Sequence, residues 1–221
     1  MGFINTLTAS FKANVSVENA VYMKKYMKDK FVFMGLKTDL RRSLFKLAAT
    51  EYKDEVKEHP RELAKQLYGM PQREYHYCAV EILMKELKNK FSKDDINLTE
   101  YLLITHSWWD TVDVIAKYLL GGYLQQYPEE TLSVINRFSS SDNMWLNRSA
   151  ILFQLGYKKD TDASILFSEC LKHKESNEFF IQKAIGWALR EYGKTDPDAV
   201  RNFVFRASLK PLSTREALKN L

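Results

Sequence analysis

Apolar residues recur along this chain at intervals of three and four. Ala20, Met23, Met27 and Phe31 form one such stripe; Leu40, Leu44 and Leu47 a second; Val112, Ile115 and Leu119 a third; Ile181, Ile185, Ala188 and Tyr192 a fourth. That period puts each set on one face of a helix and predicts amphipathic α-helices. Helix starts are marked at Thr38, at Pro71 ahead of residues 75–87, at Ser107-Trp-Trp-Asp110, at Thr195-Asp-Pro-Asp198 and at Ser213-Thr-Arg-Glu216, where hydroxyl, carboxyl or proline side chains suit a first turn. Residues 74–90 and 178–192 contain no Pro and at most one Gly, which favours unbroken helix. No strand-like alternation and no Asn-Gly hairpin turn interrupts the pattern. The expectation is an all-α chain of short helices packed as antiparallel pairs.

A weak internal repeat extends that expectation. Ser141-Asp-Asn-Met-Trp-Leu-Asn-Arg-Ser149 lies over Ser176-Asn-Glu-Phe-Phe-Ile-Gln-Lys-Ala184, with Trp145 over Phe180, Leu146 over Ile181 and Arg148 over Lys183. Residues 75–80 fit two periods earlier, and Ser107-Trp108 falls about one period before Ser141. Helix pairs repeating at this interval predict an α-solenoid, a superhelix of HEAT-like repeats, here as a single domain over residues 1–221. The concave face of such an array binds extended partners, with DNA and protein both open at this point.

Composition narrows the setting. The chain has 221 residues, 45% of them hydrophobic, enough for a sizeable core. Residues 1–14 are amphipathic without a long apolar run or cleavage site, and no segment approaches the ~18 apolar residues of a membrane span. A soluble cytoplasmic monomer without membrane association is expected. Cys78 and Cys170 lack CxxC spacing, and His59, His76, His106 and His173 lack ligand spacing, so the pattern calls for no disulfide, metal or cofactor. The net charge of +5 is unevenly spread: residues 1–50 carry nine Lys and Arg against three Asp and Glu, residues 51–140 eleven against fifteen, and residues 141–221 thirteen against ten. Basic ends around an acidic middle direct attention to where the cations fall.

Three constellations carry candidate chemistry. On the helix over 178–192, Lys183, Trp187, Arg190 and Lys194 share a face, so a large aromatic sits among cations, a combination that suits a sugar, base or phosphate backbone. A Trp packed on a neighbouring repeat beside solvated cations is the competing reading. On the helix starting near Ser107, Trp109 and Asp113 are four residues apart, opposite the Val112, Ile115, Leu119 stripe. With Ser107 expected as N-cap, the positive helix end helps keep Asp113 ionised, and a carboxylate beside an indole face suits a cationic sugar. Trp108 is assigned to the core. Near the N-terminus, Lys24, Lys25, Lys28, Arg41, Arg42 and Lys46 interleave with Tyr22 and Tyr26; Thr38 opening a helix just before two Arg predicts a phosphate cradle. Walker A, GxGxxG, GxSxG, HExxH and zinc-deaminase patterns are missing from the sequence.

Over nearly its full length the chain resembles the AlkD family of alkylpurine DNA glycosylases. The resemblance rests on Tyr26-Met-Lys28, Met34-Gly-Leu-Lys-Thr38 with Arg41-Arg42, Ser107-Trp-Trp-Asp-Thr-Val-Asp113, Ser141-Asp-Asn-Met-Trp-Leu-Asn-Arg148 and Glu178-Phe-Phe-Ile-Gln-Lys-Ala-Ile-Gly-Trp187. It implies a HEAT-like superhelix whose concave face embraces duplex DNA. The implied activity is monofunctional excision of N3- and N7-alkylated purines, without a cofactor and without a conventional base-flipping pocket. By the same resemblance Asp113, Trp109 and Trp187 are the catalytic residues and Arg148 contacts DNA. Lys183, Arg190 and Lys194, and at the N-terminal end Tyr26, Thr38 and Arg42, are the further expected DNA contacts. The alternatives are a non-catalytic relative that binds DNA structures and a repeat scaffold for protein.

Overall fold

Helices make up most of the described chain, residues 2–221 of a computed structural model; Met1, the first residue of the amphipathic N-terminal segment, lies outside them. Among the described residues the extended pairing is a single parallel bridge between Val32 and Gln72. The helices gather into two compact units that divide between Lys90 and Phe91.

The N-terminal unit comprises α1 (Gly2–Lys12), α2 (Val17–Tyr26), α3 (Thr38–Glu51), α4 (Lys53–Glu58), α5 (Pro60–Tyr68) and α6 (Arg73–Glu86). Phe3, Leu7 and Phe11 line one face of α1 and are fully buried; each such side chain contributes roughly 1.5–3 kcal/mol through removal from water. Phe11 stacks on Tyr75 of α6, ring centroids 5.3 Å apart. Glu74, also buried, accepts backbone N–H bonds from Met34, Gly35 and Leu36 through Oε1 at 3.0, 2.9 and 3.3 Å. It thereby pins the turn entering α3. Gly35 has φ +85°, and a Cβ there would overlap the Ser16 carbonyl, so the turn requires glycine.

Two sequence expectations change in this unit. The Leu40, Leu44, Leu47 stripe does not face the core: Leu47 is 66% exposed, whereas Arg41 is only 4% exposed. Arg41 is admitted to the interior because Glu81 takes its guanidinium through two hydrogen bonds of 2.8 and 3.1 Å, which satisfies a charge that could not otherwise leave water. The stripe through Ala20, Met23, Met27 and Phe31 is not one continuous helix either, since α2 ends at Tyr26 and Lys28 and Asp29 adopt left-handed backbone.

The C-terminal unit contains α7 (Asp95–Ile104), α8 (Trp109–Val114), a π-helical turn (Ile115–Leu120) and α9 (Gly121–Gln126), followed by α10 (Thr131–Ser139), α11 (Met144–Leu152), α12 (Ala163–Lys172), α13 (Phe179–Gly193), α14 (Pro197–Ala207) and α15 (Pro211–Ala217). The expected all-α helical-repeat architecture is observed. The repeat is visible as side-chain contact: Trp145 and Phe180, which occupy corresponding repeat positions, pack on each other with centroids 5.1 Å apart, and Trp108, at the cap of α8, packs on both at 5.7 and 5.1 Å. Asn143, Asp162 and Asp196 cap α11, α12 and α14 by accepting from first-turn N–H groups. Ser107 and Ser213 do not cap. The Ser107 hydroxyl donates back to the Leu103 carbonyl at 2.6 Å, leaving Trp108 at the cap position of α8. Ser213 lies inside α15, where Pro211 begins the helix, and donates to the Gln182 carbonyl at 3.1 Å.

Candidate active site

Asp113 reaches its position through the continuous rod formed by α8, the π turn and α9. Trp109 occupies the first position of α8 and Asp113 lies one turn on, so both project from the same side while Val112, Ile115 and Leu119 are buried as expected. The π turn begins two residues after Asp113; single π turns inside α-helices are frequent at functional sites. Beyond it, Gly121 allows close approach of the α11 end, because a Cβ there would overlap the Phe153 carbonyl. Helix α11 carries Arg148.

Arg148 meets Asp113 side-on through the Nε–Nη2 edge of its guanidinium: Nε donates to Oδ1 at 2.7 Å and Nη2 donates to Oδ2 at 2.9 Å. Nη1 donates to the Phe180 carbonyl at the start of α13. One side chain therefore ties α8, α11 and α13 together. The pair is largely desolvated, with side-chain exposures of 5% for Arg148 and 13% for Asp113. Burial pushes the Asp113 carboxyl above its ordinary value, the Arg148 hydrogen bonds and charge oppose that rise, and the neighbouring Asp110 adds to it. The arrangement is an oriented carboxylate with restricted access to water, its charge maintained by a single fork-shaped donor.

The remaining residues expected from sequence fall into distinct settings. Trp187 lies seven residues beyond Phe180 on α13, hence on the same face and about 10 Å along the axis; it is half-buried against the C-terminal core. Lys183 and Arg190, expected to face phosphates, converge on Glu216 of α15 at 3.0 and 2.8 Å and hold the Glu216 carboxyl at about 2, below its ordinary value. Lys194 is exposed and paired with Glu191. Arg148 is not the exposed cation that a simple phosphate contact suggests, since its donors are committed to Asp113 and Phe180. In the N-terminal unit, Tyr26 ends α2 and Thr38 begins α3, both exposed, and the exposed Arg42 donates through Nε to Glu81 at 2.9 Å.

Sequence reading missed the acidic partners Glu81 and Glu216, the Phe180 carbonyl and the π turn. The Gly121-Gly122 pair inside a helical stretch was the one local sign of a special backbone there.

The family model described as DNA alkylation repair enzyme matches residues 7–221. The chain belongs to the DNA alkylation repair enzyme family. A solved structure described as a predicted DNA alkylation repair enzyme from Enterococcus faecalis superposes on this family member with a TM-score of 0.84 at 30% sequence identity, covering 94% of this chain and 97% of that one. No curated protein matches. The match extends over both units of this DNA alkylation repair family member from residue 7 onward, and α8, α11 and α13 lie wholly within it. No helix among the described residues is long and apolar enough to cross a membrane.

Proposed function

We propose that this protein is a monofunctional glycosylase that hydrolyses the N-glycosidic bond of N3- and N7-alkylated purines in duplex DNA. The observation that carries the reading is the Asp113 carboxylate, desolvated yet held charged and oriented by Arg148. An alkylated N3 or N7 gives the purine a formal positive charge, so the base departs neutral and requires no general acid. What the transition state does require is stabilisation of the oxocarbenium-like deoxyribose left behind, and a fixed carboxylate in a site of reduced water content supplies it. Glycoside hydrolases, whose leaving oxygen must be protonated, use two carboxyl groups; here one suffices. Asp113 stabilises the sugar cation and positions the attacking water, while Trp109 and Trp187 contact the sugar and backbone around the lesion. Arg148 acts on the DNA chiefly through Asp113. Lys194, with Tyr26, Thr38 and Arg42 of the N-terminal unit, binds phosphates, and Lys183 and Arg190, part-exposed beside Glu216, offer phosphates the N–H donors that Glu216 leaves over.

The test is incubation with methylated duplex DNA and chromatography of the released bases. The parent protein is expected to release 7-methylguanine or 3-methyladenine, and Asp113→Asn to slow release by about 10²-fold or more. Release by Asp113→Asn at the parental rate would overturn the mechanism. Binding of duplex without any release by the parent would instead support a non-catalytic DNA-binding role.

A further inference from the structure

On the C-terminal unit, away from the Asp113 pair, an apolar groove opens between α12 and α14. Its floor is made by Phe167 and Phe203, whose rings stack 4.3 Å apart and 8° from parallel. Leu171 and Ala207 extend the hydrocarbon lining, and Asn202 and Arg206 are its polar members. The cavity measures about 360 Å³, at the small end of the range that accommodates ligands or a few inserted side chains. Leu171 is exposed at its edge, and Phe205, three residues beyond Asn202 along the outer surface of α14, is 90% exposed. Isolated apolar side chains on a surface are ordinary; an apolar groove flanked by an aromatic left almost wholly in water marks an interaction surface.

Charge indicates what fills it. Arg206 is the one charged residue of the lining, and no ion pair involves it among the described residues. Lys172, next to Leu171, bonds the Ser140 hydroxyl at 2.9 Å rather than a carboxylate. Asp198, the acid in the first turn of α14, is already taken by Arg201 at 3.1 Å. We infer that the groove docks an acidic peptide segment of a partner protein, with one or two large apolar side chains seated on the Phe167–Phe203 floor and a carboxylate paired with Arg206. A second copy of this chain is a poorer occupant, because two-fold pairing of this surface apposes two cationic rims. DNA is poorer too, since a phosphodiester backbone offers nothing to fill a hydrocarbon floor. Asp113, Arg148, Trp109 and Trp187 do not line the groove, so docking there leaves the proposed base-release site open.

A phage-displayed library of random twelve-residue peptides, selected against the full chain, tests this. Selected sequences should combine Phe, Trp or Leu with flanking Asp and Glu. A synthetic peptide of the selected consensus should lose at least tenfold in affinity with both Phe205→Ser and Arg206→Glu. These two side chains are exposed, so the variants should melt as the parent does; Leu171→Ser provides a third probe from α12. Replacing the acids of the peptide by Lys should abolish binding to the parent and restore it to Arg206→Glu. The proposal is overturned by selection of basic sequences, by the absence of any peptide whose affinity responds to these variants, or by a concentration-dependent dimer that Phe205→Ser abolishes. Loss of duplex DNA affinity in Phe205→Ser and Arg206→Glu, with peptide binding unchanged, would overturn it in favour of a nucleic-acid surface.

Discussion

Removing Arg148 would leave the Asp113 carboxyl desolvated and without the two hydrogen bonds that keep it charged. Breaking a buried pair from one side leaves an uncompensated charge, so Arg148→Ala should lower stability by about 3–5 kcal/mol, measurable by urea denaturation. The same pair sets the pH response of catalysis. Because burial raises the Asp113 pKa, the rate of base release under single-turnover conditions should fall with decreasing pH along a limb centred above the ordinary aspartate value of 3.8. Arg148 lowers that pKa, so in Arg148→Lys, which keeps a cation but loses the fork, the limb should move to higher pH. An unmoved limb would mean that Asp113 is not the group whose ionisation the rate reports.

Two elements place these residues. The rod formed by α8, the π turn and α9 meets α11 where Gly121 faces the Phe153 carbonyl. Gly121→Ala forces that backbone contact apart, with an expected cost of about 1–3 kcal/mol. The rate of base release should fall with it, as Arg148 loses its aim at Asp113. A variant that melts lower but reacts at the parental rate would separate the close approach from the site. At the other end, α15 is fastened to α13 by Glu216, which Lys183 and Arg190 share. Its folded pKa of about 2 lies below the ordinary 4.5. The unfolded chain therefore takes up a proton first as pH falls, so the contribution is complete above 4.5 and is lost on descent toward 2. The network is partly open to water, which limits the effect to about 1 kcal/mol. Glu216→Gln should flatten the stability profile of the parent in that window, as followed by thermal melts.

At the scale of the molecule, the relevant property is the distribution of cations over two units. In the proposed DNA complex each phosphate neutralised by Lys or Arg releases counterions, so log affinity falls linearly with log salt, by about 0.9 per phosphate contact. Lys194→Gln, which removes an exposed cation, should reduce that slope by about 0.9, and Arg42→Gln in the N-terminal unit should do the same. Fluorescence anisotropy of labelled duplex across a salt series reads both. A slope unchanged by either would assign those cations to intramolecular pairing, as their contacts with Glu191 and Glu81 show is chemically feasible.

The sequence by itself determined the all-α class, the buried faces of α8 and α13 and the repeat that lays Trp145 over Phe180. These follow from a local period of three to four residues and from side chains that burial alone sorts. It also singled out Trp109, Asp113 and Trp187 through family-like strings. What it could not sort was the cations. Arg41, Arg148, Lys183 and Arg190 look alike as residue types, and each finds its carboxylate 26 to 40 positions away. Whether a guanidinium faces solvent or a buried acid depends on which helices pass within 3 Å of it, and that is a property of packing. Tertiary structure therefore decided that Arg148 serves Asp113, that Glu216 fastens α15, and that Arg41 belongs to the core while Leu47 does not.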